Sequence, residues 1–83
     1  MGKLIDAITS VRESTKGRSI LSLLKDKAFI ASSVGSIILN YEFDVDTAIE
    51  IFSNAIAQEA NIRLAKKDPQ ILREYDEIDR LLG

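Results

Sequence analysis

The sequence predicts an all-α fold, a compact bundle of three to four helices completed by oligomerisation. Three observations carry that expectation. Apolar residues recur at three- and four-residue spacing through four segments, and no alternating run is long enough to argue for a sheet. Residues that start or stop helices stand at the segment borders: Gly17, Ser19, Asp44 or Asp46, and Asp68-Pro69. Finally, 83 residues without Cys or His leave no disulfide and no Cys/His metal site to reinforce the core. A chain this short buries only about 60 to 65% of the surface its unfolded form exposes, so association between copies is the reinforcement that remains. The 46% apolar content, dominated by Ile and Leu, is that of a chain that folds.

Leu4, Ile5, Ile8 and Val11 define a short amphipathic helix over about residues 3–14. Gly17 ends it, and the Ser19 hydroxyl is placed to cap the next helix. That second segment, about 19–40, is apolar around much of its circumference. Asp26 is an alternative N-cap that would split it in two. Ala28, Ala31, Ser32, Gly35 and Ile38 form a shallow face on which another helix can lie closely, and this is the expected oligomer interface. A glycine inside a helix costs about 1 kcal/mol against Ala, so a close contact at Gly35 would give it a reason; a kink there is the alternative. On the close-contact reading Gly35→Leu destabilises the fold. Strand is conceivable only around Ser36 to Phe43.

A third helix, about 44–67, starts at Asp44 or Asp46, with Phe43 placed to staple against Ala48. Val45, Ile49, Phe52, Ile56, Ala60 and Leu64 form its apolar line, widened by Ala48, Ala55 and Ala57, and Arg63, Lys66 and Lys67 complement the negative end of its dipole. Asp68-Pro69 opens a fourth helix, about 69–82, with Ile71, Leu72, Tyr75, Ile78, Leu81 and Leu82 on one side. For a monomer, Leu21, Leu24, Ala28, Ala31, Val34 and Ile38 are expected to pack against Ile49, Phe52, Ile56, Leu72, Tyr75 and Ile78.

The charge is sorted by segment. No Lys or Arg stands between Lys27 and Arg63, a stretch that holds Glu42, Asp44, Asp46, Glu50 and Glu59, while the net charge is only -2. Sorting of this kind bears on association and not on fold. Ala28 to Tyr41 is the most apolar run, but its 14 residues include three serines and an asparagine. It falls short of the roughly 18 to 20 apolar residues that cross a membrane. With no apolar signal segment near the start and no Cys, the cytoplasm is the default expectation.

The chemistry is thin. Without His or Cys the commonest general base and the readiest nucleophile are missing, so no enzyme, catalytic residue or cofactor is expected. Asp44, Asp46 and Glu50 resemble a fragment of a calcium loop without its glycine or closing Glu, and helix capping already accounts for acids there, so no metal site is expected. Lys16, Arg18 and Ser19 flank a glycine before a helix start, where a phosphate could be held. The glycine density of a phosphate loop is absent. Nucleic-acid recognition lacks a basic face, although the basic N-terminal third keeps a nucleotide- or nucleic-acid-binding protein as the alternative reading.

What remains is a small non-catalytic protein that self-associates and binds another protein, as a regulator, inhibitor or assembly subunit. Asp44, Asp46, Glu50 and Tyr75 are its candidate partner-binding residues, the acids suiting a basic surface. No motif selects a family.

Overall fold

The computed structural model describes residues 2–83. It is all helical: α1 (Lys3–Ser14), α2 (Ile20–Leu24), α3 (Lys27–Tyr41), α4 (Val45–Ala65) and α5 (Pro69–Leu82). The all-α bundle is the expected fold, but the segment over 19–40 is two helices and not one. Asp26 divides it: its carboxylate accepts the Phe29 amide at 3.1 Å and caps α3, while Lys25 closes α2. The other caps fall on the expected residues. Ser19 accepts from the Ser22 amide, Asp44 from Thr47 and Asp68 from Gln70, with Pro69 in the first turn of α5. Gly17 holds φ +71°, the left-handed conformation that lets the chain turn after α1. The stretch 36–41, where a strand was conceivable, is helical, and no strand occurs among the described residues.

α4 is the hub. It packs against α1, α3 and α5, while α2 bridges α5 and α3. Its 21 residues span about 31 Å at 1.5 Å per residue, nearly the 36 Å length of the molecule. The core is therefore built along it. Ala48, Ile51, Phe52, Ala55, Ile56 and Ala60 are buried on α4, against Ala7 and Val11 of α1, Ile20 of α2, Ile37 of α3, and Ile71 and Ile78 of α5. Ala48 and Ala55 widen the buried arc of α4 as expected, and Ile51, outside the expected set, is buried with them.

The expected monomer packing is corrected in part. Phe52, Ile56 and Ile78 are buried, and Leu21, Leu24, Val34, Ile38 and Tyr75 are half-buried against the core, but Ala28, Ala31, Ile49 and Leu72 face solvent. The break at Asp26 resets the helical phase, so Ile20, Leu23 and Ile37 take the inner positions assigned to their neighbours. Val45 and Ile49 are exposed for a different reason. α5 runs back along α4, its end at Leu82 and Gly83 lies beside Ala57, and the first turns of α4 extend past it.

A polar clamp fixes the α1–α2 turn on α4. Arg63 donates to the Arg18 carbonyl at 2.7 Å and to the Thr15 carbonyl at 2.9 Å, and Glu59 lies between Arg63 (3.6 Å) and Arg12 (3.2 Å). Thr15, fully buried, returns its hydroxyl to the Arg12 carbonyl at 2.6 Å. The Thr15 and Arg12 carbonyls also accept the Arg18 and Thr15 amides, so the side-chain bonds add second partners there and hold the turn against α4. No helix is long and apolar enough to cross a membrane.

Candidate functional site

The outer side of α3 stands apart from the rest of the surface. Ile37 is the one residue of this helix that is buried; Phe29, Ile30, Val34, Ile38 and Tyr41 lean on the core and turn the opposite side to solvent. On that side lie Ala28, Ala31, Ser32, Gly35 and Leu39, spaced three and four apart so that they form one stripe. From Ala28 to Tyr41 no residue carries a charge. Leu39 is 81% exposed, the most of any large apolar side chain in the described residues. Four of the five expected interface residues, Ala28, Ala31, Ser32 and Gly35, thus share a face open to solvent or nearly so, with Ile38 half-buried at its margin.

Gly35 does not make the close contact within the chain that its position suggested. α3 runs unbroken through it, and a Cβ built there meets nothing within 4 Å. The glycine therefore has no packing reason in a single copy, and the expected sign of Gly35→Leu is reversed for the isolated chain. Beside the stripe, a groove of about 210 Å³ lies between α1 and α3, with Ser10 and Ser14 on one wall and Ser32, Ser33, Ser36 and Asn40 on the other. Small side chains on both helices leave this space.

Charges sit at the ends of the stripe. Lys25 and Lys27 stand at its start, and Glu42, Asp44 and Asp46 at its finish. Two of these are engaged. Lys25 pairs with Glu77 of α5 at 2.9 Å, and that hydrogen bond holds the Glu77 carboxyl below its usual range. Asp44 caps α4, and hydrogen bonds from Thr47 likewise hold its carboxyl low. Lys27 and Glu42 make no ion pair among the described residues. Both are set against the dipole of their own helix, Lys27 in its first turn and Glu42 at its C-cap. Glu42 also adopts φ +59°, a conformation a glycine holds more cheaply.

The other candidates are dispersed. Asp44, Asp46 and Glu50 are exposed on the first turns of α4, but Tyr75 is half-buried on α5 and donates to Asn61 at 3.3 Å. Asn61 is 17 residues beyond Asp44, about 25 Å along the helix, so these four residues do not form one surface. Among the described residues no cluster of three or more acids could hold a metal ion. At the α1–α2 turn, Lys16 and Arg18 are exposed, but the Arg18 guanidinium lies over the Phe29 ring at 5.2 Å. The Ser19 hydroxyl caps the Ser22 amide and donates to Glu74 at 3.4 Å. Glu59 and Asp68 line the same recess together with Lys16, Arg18, Arg63 and Lys66, of which Arg63 is committed to the Thr15 and Arg18 carbonyls, and α2, with five residues, has little dipole to offer. A phosphate there would displace bonds already made and face carboxylates.

Comparison of the chain with protein-family models, characterised sequences and solved structures finds no match.

Proposed function

We propose that this is a non-catalytic helical protein that works by protein binding, and that its first partner is a second copy of itself, seated on the outer side of α3. One observation carries the reading: the face of α3 turned away from the core is uncharged from Ala28 to Tyr41 and carries Leu39, 81% exposed. A helix that serves only its own bundle turns a polar, charged side to water. An uncharged face of small residues around one exposed leucine, rimmed by charge, has the form of a contact surface. The small residues favour another helix as its occupant, because they allow two backbones to approach. The acids Asp44, Asp46 and Glu50 at the rim are available to speed capture of a basic partner by the resulting oligomer, in the role of a regulator, inhibitor or assembly subunit.

Absolute mass by light scattering across a concentration series tests this. The weight-average mass is expected to rise from 9.2 kDa toward a discrete multiple as concentration increases, and Leu39→Lys is expected to hold it at 9.2 kDa with the helical circular dichroism unchanged. A wild-type mass of 9.2 kDa at every concentration would overturn self-association.

A further inference from the structure

We infer that the second copy lies antiparallel on α3, the two helices crossing at Gly35 about a two-fold axis. This rests on the reading of α3 as the self-associating face and specifies its geometry. Three features of the chain meet in that arrangement.

The first is shape. In an antiparallel pair centred on Gly35, residues equally far before and after it stand side by side. Leu39 and Ala31 are each four residues from Gly35, so Leu39 of either copy falls beside Ala31 of the other, with Ala28 a turn further on. The one large knob of the stripe meets its smallest stretch, twice by symmetry. At the centre, the glycine that no intrachain contact explains lets the two backbones touch.

The second is charge. Lys27 lies eight residues before Gly35 and Glu42 seven after, so each Lys27 reaches the Glu42 of the other copy. Neither has an ion-pair partner within the described residues of its own chain, and each opposes its own helix dipole. A parallel pair would instead set Lys27 against Lys27 and Glu42 against Glu42. The third is size. The face is about 22 Å long and one helix, about 10 Å, wide, less than the roughly 800 Å² per partner of a standard interface. The dimer is therefore a weak one whose population follows concentration.

The absence of native cysteine makes a direct test simple. Lys27→Cys and Glu42→Cys variants, mixed and treated with a short bis-maleimide, are expected to yield a cross-linked dimer well above an Arg73→Cys control on α5. Either variant alone is expected to yield none above the control, since two copies of position 27 stand about 24 Å apart. As a second reading, Lys27→Glu and Glu42→Lys should each weaken dimerisation roughly tenfold, and the double variant should restore it. A dimer in which each cysteine variant cross-links to itself, or in which the double charge reversal fails to restore association, would overturn the antiparallel arrangement and leave self-association standing. A wild-type chain that is monomeric throughout the series would overturn both.

Discussion

α3 and α5 are nearly the same length, 15 and 14 residues, and are both held by a hydrophobic inner side against the bundle, yet their outer sides are opposites. α5 buries Ile71 and Ile78 and gives solvent Arg73, Asp76, Asp79 and Arg80, with Leu72 and Leu81 half-exposed among these charges. α3 buries Ile37 and gives solvent alanines, serines, a glycine and Leu39. The inside of a helix records what its own chain needs. Its outside is free to serve something else, and the contrast in charge between the two outer sides is what the proposed contact on α3 rests on.

If the inner sides are equivalent, they should fail equally. Ile37→Ala and Ile78→Ala each remove a side chain that is about 2% exposed or less, and each is expected to cost about 2 to 4 kcal/mol by urea denaturation. Should either variant fail to fold, Ile→Val at the same position is expected to cost about 0.5 to 1.5 kcal/mol. A near-zero cost at Ile37 alone would mean that α3 is loosely attached, and its outer surface would lose its claim to be a rigid docking face.

The outer sides should then differ. Leu39→Lys on α3 and Leu72→Lys on α5 both place a cation at an exposed leucine, and both are expected to change the stability of the single chain by less than about 0.5 kcal/mol. Only the first is expected to abolish association. If Leu72→Lys did so as well, the contrast between the two helices would collapse and the amphipathic C-terminal helix would share the interface.

Gly35→Ala sharpens the same contrast because its two effects have opposite signs. At concentrations where the chain is monomeric, the variant is expected to be more stable by about 1 kcal/mol, since the new Cβ enters open space and the helix loses a flexible residue. At concentrations where the dimer forms, the same Cβ keeps the two helices apart and the mass should fall. Tighter association in the variant would remove Gly35 from the crossing point.

Most of the fold was legible because its punctuation is local. Ser19, Asp44 and Asp68-Pro69 cap helices by reaching their own neighbours, and the ends of α1, α4 and α5 follow from them within a residue or two. The division at Asp26 was harder, because apolar residues run past it on both sides and periodicity alone does not register a short break. The Arg63 clamp was hidden for another reason: as a cation in the last turn it is already explained by the dipole, and its reach to the Thr15 and Arg18 carbonyls depends on the path of a distant turn. The small residues of the stripe could be read from spacing. That they face outward, with Leu39 at their end, could not, because it depends on which side of α3 meets α4.

The smallest expected effect compares the two helices through pH. Asp44, just past the end of α3, is held below the usual carboxylate range by hydrogen bonds from Thr47, and Glu77 on α5 by its hydrogen bond from Lys25. Each carboxyl binds its proton more weakly in the folded chain than in the unfolded one, so the unfolded state takes up more protons as acid is added. The stabilisation is present above the unfolded values and is lost as pH falls through the folded ones. Both groups are exposed, so the loss is small and screened by salt. Asp44→Asn and Glu77→Gln should each flatten the acid limb of a stability profile taken on the monomer. On the dimer they should diverge. Asp44 lies at the acidic end of α3, where the proposed pairing would bring cations of a second copy, so Asp44→Asn should weaken association, whereas Glu77 is committed to Lys25 of its own chain and Glu77→Gln should leave association unchanged.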